Sequence, residues 1–138
     1  MKAFVRWQGG MSFLTESGSG HTVLIDGPPE SGGTNQGPRP MELVLMGTGG
    51  CAAIDVVLIL KKGRQDISNC VVEVEAKRAP HEPKVFTHIH FHFILSGRNL
   101  SSAQIERAIK LSAEKYCSAS IMLGKTAELT HDYEIVEI

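Results

Sequence analysis

Aromatic residues make up only 6% of the 138 residues, and cysteine occurs three times. Cys51, Cys70 and Cys117 form an odd, sparse set with no CxxC pair, which excludes a disulfide framework and a zinc ribbon. Neither sign of charge dominates: 14 Lys+Arg stand against 15 Asp+Glu, a net charge of −1. The chain therefore lacks the basic excess that duplex nucleic acid requires, and it lacks a polybasic membrane patch. The opening stretch MKAFVRWQGG has neither the unbroken apolar run nor the small-residue cleavage site of a secretory signal. One long apolar run does occur, Met41 to Leu60. Glu42, Thr48, Asp55 and three glycines interrupt it, which favours a helix buried in protein over a membrane span. Hydrophobic residues at 42% and charged residues at 21% are ordinary for a globular protein. A single cytoplasmic domain over residues 1–138 is expected, with its chemistry confined to a few side chains.

Lys2 to Gln8, Met11 to Ser17 and His21 to Asp26 read as short strands separated by glycine turns, a meander of hairpins. GPPESGGTNQGPRP, from Gly27 to Pro40, is a loop by composition. Pro40 suits the first turn of a helix and Glu42 its positive end. Lys61, Lys62 and Gly63 mark the stop. This helix is apolar nearly all round, so neighbours are expected on every side. Gly47, Gly49 and Gly50 each cost about 1 kcal/mol relative to alanine. Close approach of another backbone or a ligand beside Cys51 would offset that cost. Strands follow at Val71–Arg78 and Val85–Leu95. Ser101 with Gln104 resembles a capping box opening a second helix that leads to Cys117. Ser118 is the expected cap of a short third helix, and Ala127–Glu137 a closing strand. The order β-β-β-α-β-β-α-(α)-β is that of an α+β protein.

Cys51, inside the glycine-relaxed helix, is either a small buried hydrophobe or a reactive thiol. Cys117 precedes an expected helix N-terminus, a position that lowers a thiol's pKa. Together they suggest a peroxide-reducing pair, one sulfur oxidised to a sulfenic acid and the other condensing with it. Their separation along the chain does not decide the matter, because pairing requires Cα atoms within about 7 Å. Cys70 reads as structural. His88, His90 and His92 alternate in FTHIHFHF and share one strand face. A metal reading competes there with a solvent-facing stripe opposite Ile89, Phe91 and Phe93; no cofactor or metal is assigned. Arg39 and Glu42 flank the start of the long helix, as surface charge and dipole partner or as catalytic groups.

PMELVLMGTGGCAAIDVVLILKKG, the strand after it, and KYCSASIML together resemble the OsmC/Ohr superfamily, and the likeness covers essentially the whole chain. The resemblance implies an OsmC-like fold of antiparallel sheets with two long central helices in an intertwined homodimer. It also implies thiol-dependent reduction of hydroperoxides. Cys51 would be peroxidatic and Cys117 resolving, with an external thiol or dithiol as reductant. Glu42 stands nine residues before Cys51, one later than the family's usual glutamate, a shift of about 100° around a helix. Gly9-Gly10-Met11-Ser12 occupies the place of the family's arginine, so Arg39 or Arg6 is the candidate substitute, and Ser118 replaces the usual proline. The alternative is a non-catalytic dimer of the same scaffold that binds a small apolar ligand or a partner at the subunit interface.

Overall fold

The computed structural model describes residues 1–138. It forms two compact units, Met1–Val44 and Leu45–Ile138.

In the first unit β1 (Ala3–Trp7), β2 (Ser12–Ser17) and β3 (Thr22–Asp26) form an antiparallel meander. The first turn uses Gly9 and Gly10 at φ 98° and 54°, where side chains are strained, and Trp7 Nε1 donates to the Gly10 carbonyl at 2.9 Å. Asp26 is the buried residue of this unit, and its carboxylate organises the Gly/Pro-rich loop. It accepts backbone N–H groups from Gly27 at 2.8 Å, Thr34 at 2.9 Å and Gln36 at 3.1 Å. These bonds, from Gln36 and Thr34 above all, hold its pKa below the ordinary carboxylate value. The loop is thus folded around one carboxylate rather than merely permitted by its composition.

Helix α1 (Pro40–Lys62) starts and stops where its caps predict. Arg39 precedes it, and Glu42 Oε1 accepts the Arg39 backbone N–H at 2.8 Å, the reciprocal half of a capping box. The second unit adds β4 (Asp66–Arg78), β5 (Phe86–Arg98), α2 (Ser102–Leu111), a π turn over Ser112–Tyr116, α3 (Ser118–Leu123) and β6 (Glu128–Glu137). Strand β5 is central: β4 pairs with it antiparallel and β6 parallel. The expectation of antiparallel sheets holds for the meander and for β4–β5. Strand β6 differs because α2 and α3 form a crossover, returning the chain so that β6 enters in the direction of β5. Strand β4 begins at Asp66 rather than Val71, since the polar Asp66–Asn69 stretch pairs across a bulge with Ser96–Arg98.

Alternation along β5 buries Ile89, Phe91, Phe93 and Leu95. Ala52, Val56 and Leu60 of α1 and Ile105, Ala108 and Ile109 of α2 are buried in the same unit. Each large side chain among these contributes about 1.5–3 kcal/mol by leaving water. Burial of α1 is one-sided. Thr48, Gly49, Ala52, Val56 and Leu60 are covered, whereas Met46, Ile54 and Leu58 are 61%, 69% and 49% exposed. Neighbours on every side are therefore not supplied by a single chain. By length and composition α1 could cross a membrane, yet one face of it is built into this core.

Candidate functional site

Cys51 lies on α1 with Asp55 one turn later, on the same face by the i, i+4 rule. Cys117 approaches from the other side of the chain's topology. The π turn over Ser112–Tyr116 ends in a bond from the Cys117 N–H to the Ser112 carbonyl at 2.8 Å. Such wide turns recur at functional sites. Cys117 itself, not Ser118, is the N-cap of α3: its φ and ψ are −75° and 97°, and its Sγ accepts the Ser120 N–H at 3.3 Å. Ser112 Oγ donates to Asp55 Oδ2 at 3.2 Å, tying the π turn to α1.

These elements bring the two sulfurs and an Asp55 carboxylate oxygen within 4.8 Å of one another. Cys51 and Asp55 are partly exposed and Cys117 is fully buried, and all three thiols of the chain are free. The expected lowering of the Cys117 pKa is overturned. Burial pushes the thiol up, outweighing the downward pull of the Ser120 hydroxyl and N–H. Ser120 Oγ is itself buried without a well-formed hydrogen bond. Asp55 also lines a cavity of about 410 Å³ walled by Leu58, Ile59, Leu111 and Tyr116, with Lys62 and Arg107 on it.

Of the residues singled out from sequence, Cys51 and Cys117 are brought together. Arg39 and Glu42 lie in the first unit, joined through the backbone bond described above, and the Arg39 guanidinium donates to Asn35 Oδ1 at 2.7 Å. Asp55 escapes a reading by motif, where it is only a charge interrupting an apolar run; its i, i+4 spacing from Cys51 is the signal that would find it. Cys70 sits on β4, half-buried, where burial raises its pKa.

The three histidines form the solvent-facing stripe on β5, and each has a carboxylate partner across the sheet on β6. His88 meets Glu128 at 3.3 Å, while His90 and His92 share Asp132 Oδ1 at 2.9 and 2.7 Å. The hydrogen bond to Asp132 holds the His92 pKa above its usual value and the Asp132 pKa below its own. On the inner side of β6, His131 stacks on Phe91 with ring centroids 4.9 Å apart, and burial lowers its pKa.

Comparison with known proteins adds to this geometry. The family model described as OsmC-like protein matches residues 33–132. The chain belongs to the OsmC-like family. Among curated proteins it is similar to Protein YhfA of Escherichia coli strain K12, 53% identical over 136 residues, covering 99% of this chain and 98% of YhfA. Among solved structures it resembles a protein from Aquifex aeolicus VF5 at 27% identity and a TM-score of 0.88, covering 99% of this chain and 96% of that one. An organic hydroperoxide resistance protein from Legionella pneumophila shares the OsmC-like fold at 15% identity and a TM-score of 0.70, with 97% of each chain covered.

Proposed function

We propose that this OsmC-like protein is a cysteine-based peroxidase that reduces organic hydroperoxides. The observation that carries the reading is the approach of Cys51 Sγ and Cys117 Sγ to within 4.8 Å, although 66 positions separate them in the chain. In the proposed cycle the Cys51 thiolate attacks the terminal oxygen of the hydroperoxide. The O–O bond breaks, the alkoxide takes a proton and leaves as an alcohol, and Cys51 becomes a sulfenic acid. Cys117 then attacks that sulfur; an S–S bond forms, and the hydroxyl leaves with the Cys117 proton as water. An external dithiol of a reducing, cytoplasmic compartment restores both thiols.

The apolar cavity that shares Asp55 with the sulfur cluster supports an organic substrate over hydrogen peroxide. The kinship with hydroperoxide resistance proteins in fold points the same way. A homodimer is part of the proposal, because the exposed apolar stripe of α1 and Phe4, Val5 and Trp7 of β1 offer surface for a second copy. Purified protein with a dithiol should consume an organic hydroperoxide catalytically. Turnover that survives Cys51→Ser would refute the mechanism.

A further inference from the structure

The cluster at Cys51, Asp55 and Cys117 has the donor chemistry of a metal site. Cys51 and Asp55 stand at i, i+4 on α1, the spacing with which a helix offers two ligands to one cation, and Cys117 supplies a third from the start of α3. Each outer donor is already braced. Ser112 Oγ–H holds the Asp55 carboxylate at 3.2 Å, as ligating carboxylates are held by surrounding hydrogen bonds. The Ser120 N–H points to Cys117 Sγ at 3.3 Å, and the buried Ser120 hydroxyl, which makes no well-formed hydrogen bond elsewhere, is placed as a second donor for a sulfur carrying full negative charge.

The geometry points to a Zn²⁺ site formed by Cys51 Sγ, the Asp55 carboxylate and Cys117 Sγ, with the fourth position left to water or a small ligand. Thiolate donors select zinc over magnesium or calcium. Bonds of about 2.3 Å to sulfur and 2.0–2.2 Å to oxygen require tetrahedral donors roughly 3.5–3.8 Å apart. The donors, now within 4.8 Å of one another, need to draw in by roughly 1.0–1.3 Å at most, within the reach of side-chain adjustment. The site requires the thiols to be close, not redox-active, so it stands apart from the peroxidase reading. Where both hold, they compete. A hydroperoxide that takes two electrons from the thiolates and two protons from solvent leaves as alcohol and water, forms the disulfide, and frees the cation.

The test is anaerobic titration of the reduced full chain with Co²⁺, followed by Zn²⁺. One Co²⁺ per chain should bind with an intense thiolate-to-cobalt charge-transfer band in the near ultraviolet, and Zn²⁺ should bleach it. Cys51→Ser should abolish the band, and Asp55→Asn, which preserves shape, should weaken binding by about tenfold or more. Cys70→Ser should change nothing. Absence of the band at excess Co²⁺, or unchanged affinity in Asp55→Asn, overturns the assignment. Disulfide formation in the metal-free protein after hydroperoxide treatment is read separately, so either conclusion can fail while the other stands.

Discussion

Burial raises the Cys117 pKa while the Ser120 hydroxyl and N–H pull it down, and burial prevails. A thiol of this kind is a poor first nucleophile near neutral pH, but it suits the second step, in which a sulfenic acid is already waiting and the proton leaves with the departing hydroxyl. Cys117→Ser should therefore still react with one equivalent of hydroperoxide and stop there, with Cys51 trapped as a dimedone adduct by mass spectrometry. Cys51→Ser should give no adduct. Asp26 carries a separate prediction. Because its folded pKa is lowered, its contribution is complete above the ordinary carboxylate value and is lost as the pH falls through the lowered one. The amides of Thr34 and Gln36 should stay protected from hydrogen exchange into mildly acidic solution. In Asp26→Ala they should exchange freely at every pH.

At the scale of elements, α1 shows that its three glycines are not equivalent. A Cβ on Gly49 would lie 2.9 Å from Val74 Cγ2 on β4, whereas one on Gly47 or Gly50 would meet nothing within 4 Å. Gly49→Val should cost about 1–3 kcal/mol by overpacking, measured by chemical denaturation. The sheet edge at β6 responds to pH through two histidines of opposite sign. The raised pKa of His92 means its pairing stabilises fully below the ordinary histidine value and is lost as the pH rises through the raised one. Asp132, lowered, sets the acid limit of the same pair. Buried His131 acts in reverse: the unfolded chain binds its proton more readily, so stability falls as the pH drops below the ordinary histidine value. NMR titration should find His92 titrating above and His131 below the usual value. Asp132→Asn should return His92 towards it.

For the whole molecule, the decisive asymmetry is where apolar surface is covered. The buried apolar residues all lie from Ala52 onward, while Phe4, Val5 and Trp7 of the meander and Met46, Ile54 and Leu58 of α1 are exposed. A three-stranded sheet whose apolar side chains are at best half-buried, as Phe13, Leu14, Leu24 and Ile25 are, is marginal in water. The proposed homodimer supplies the cover, and Ile54→Glu should shift the mass in sedimentation equilibrium from twice 15.0 kDa to a single 15.0 kDa chain. The element order, the limits of α1 and the histidine stripe were all legible in the sequence, because Gly/Pro punctuation, capping residues and strict alternation are local signals. The parallel seating of β6 was not, since a strand's own pattern does not name its partner. Nor was Asp55 legible as a neighbour of both sulfurs, because the π turn that delivers Cys117 to it is a tertiary adjustment with no motif. If the two distant cysteines act as one redox unit, disulfide mapping by mass spectrometry after brief treatment with a small excess of an organic hydroperoxide should reveal it. A Cys51–Cys117 crosslink with Cys70 left as a free thiol is expected; Cys51 recovered as unreacted thiol, or oxidised to the sulfinic acid with Cys117 still free, would contradict a shared redox role.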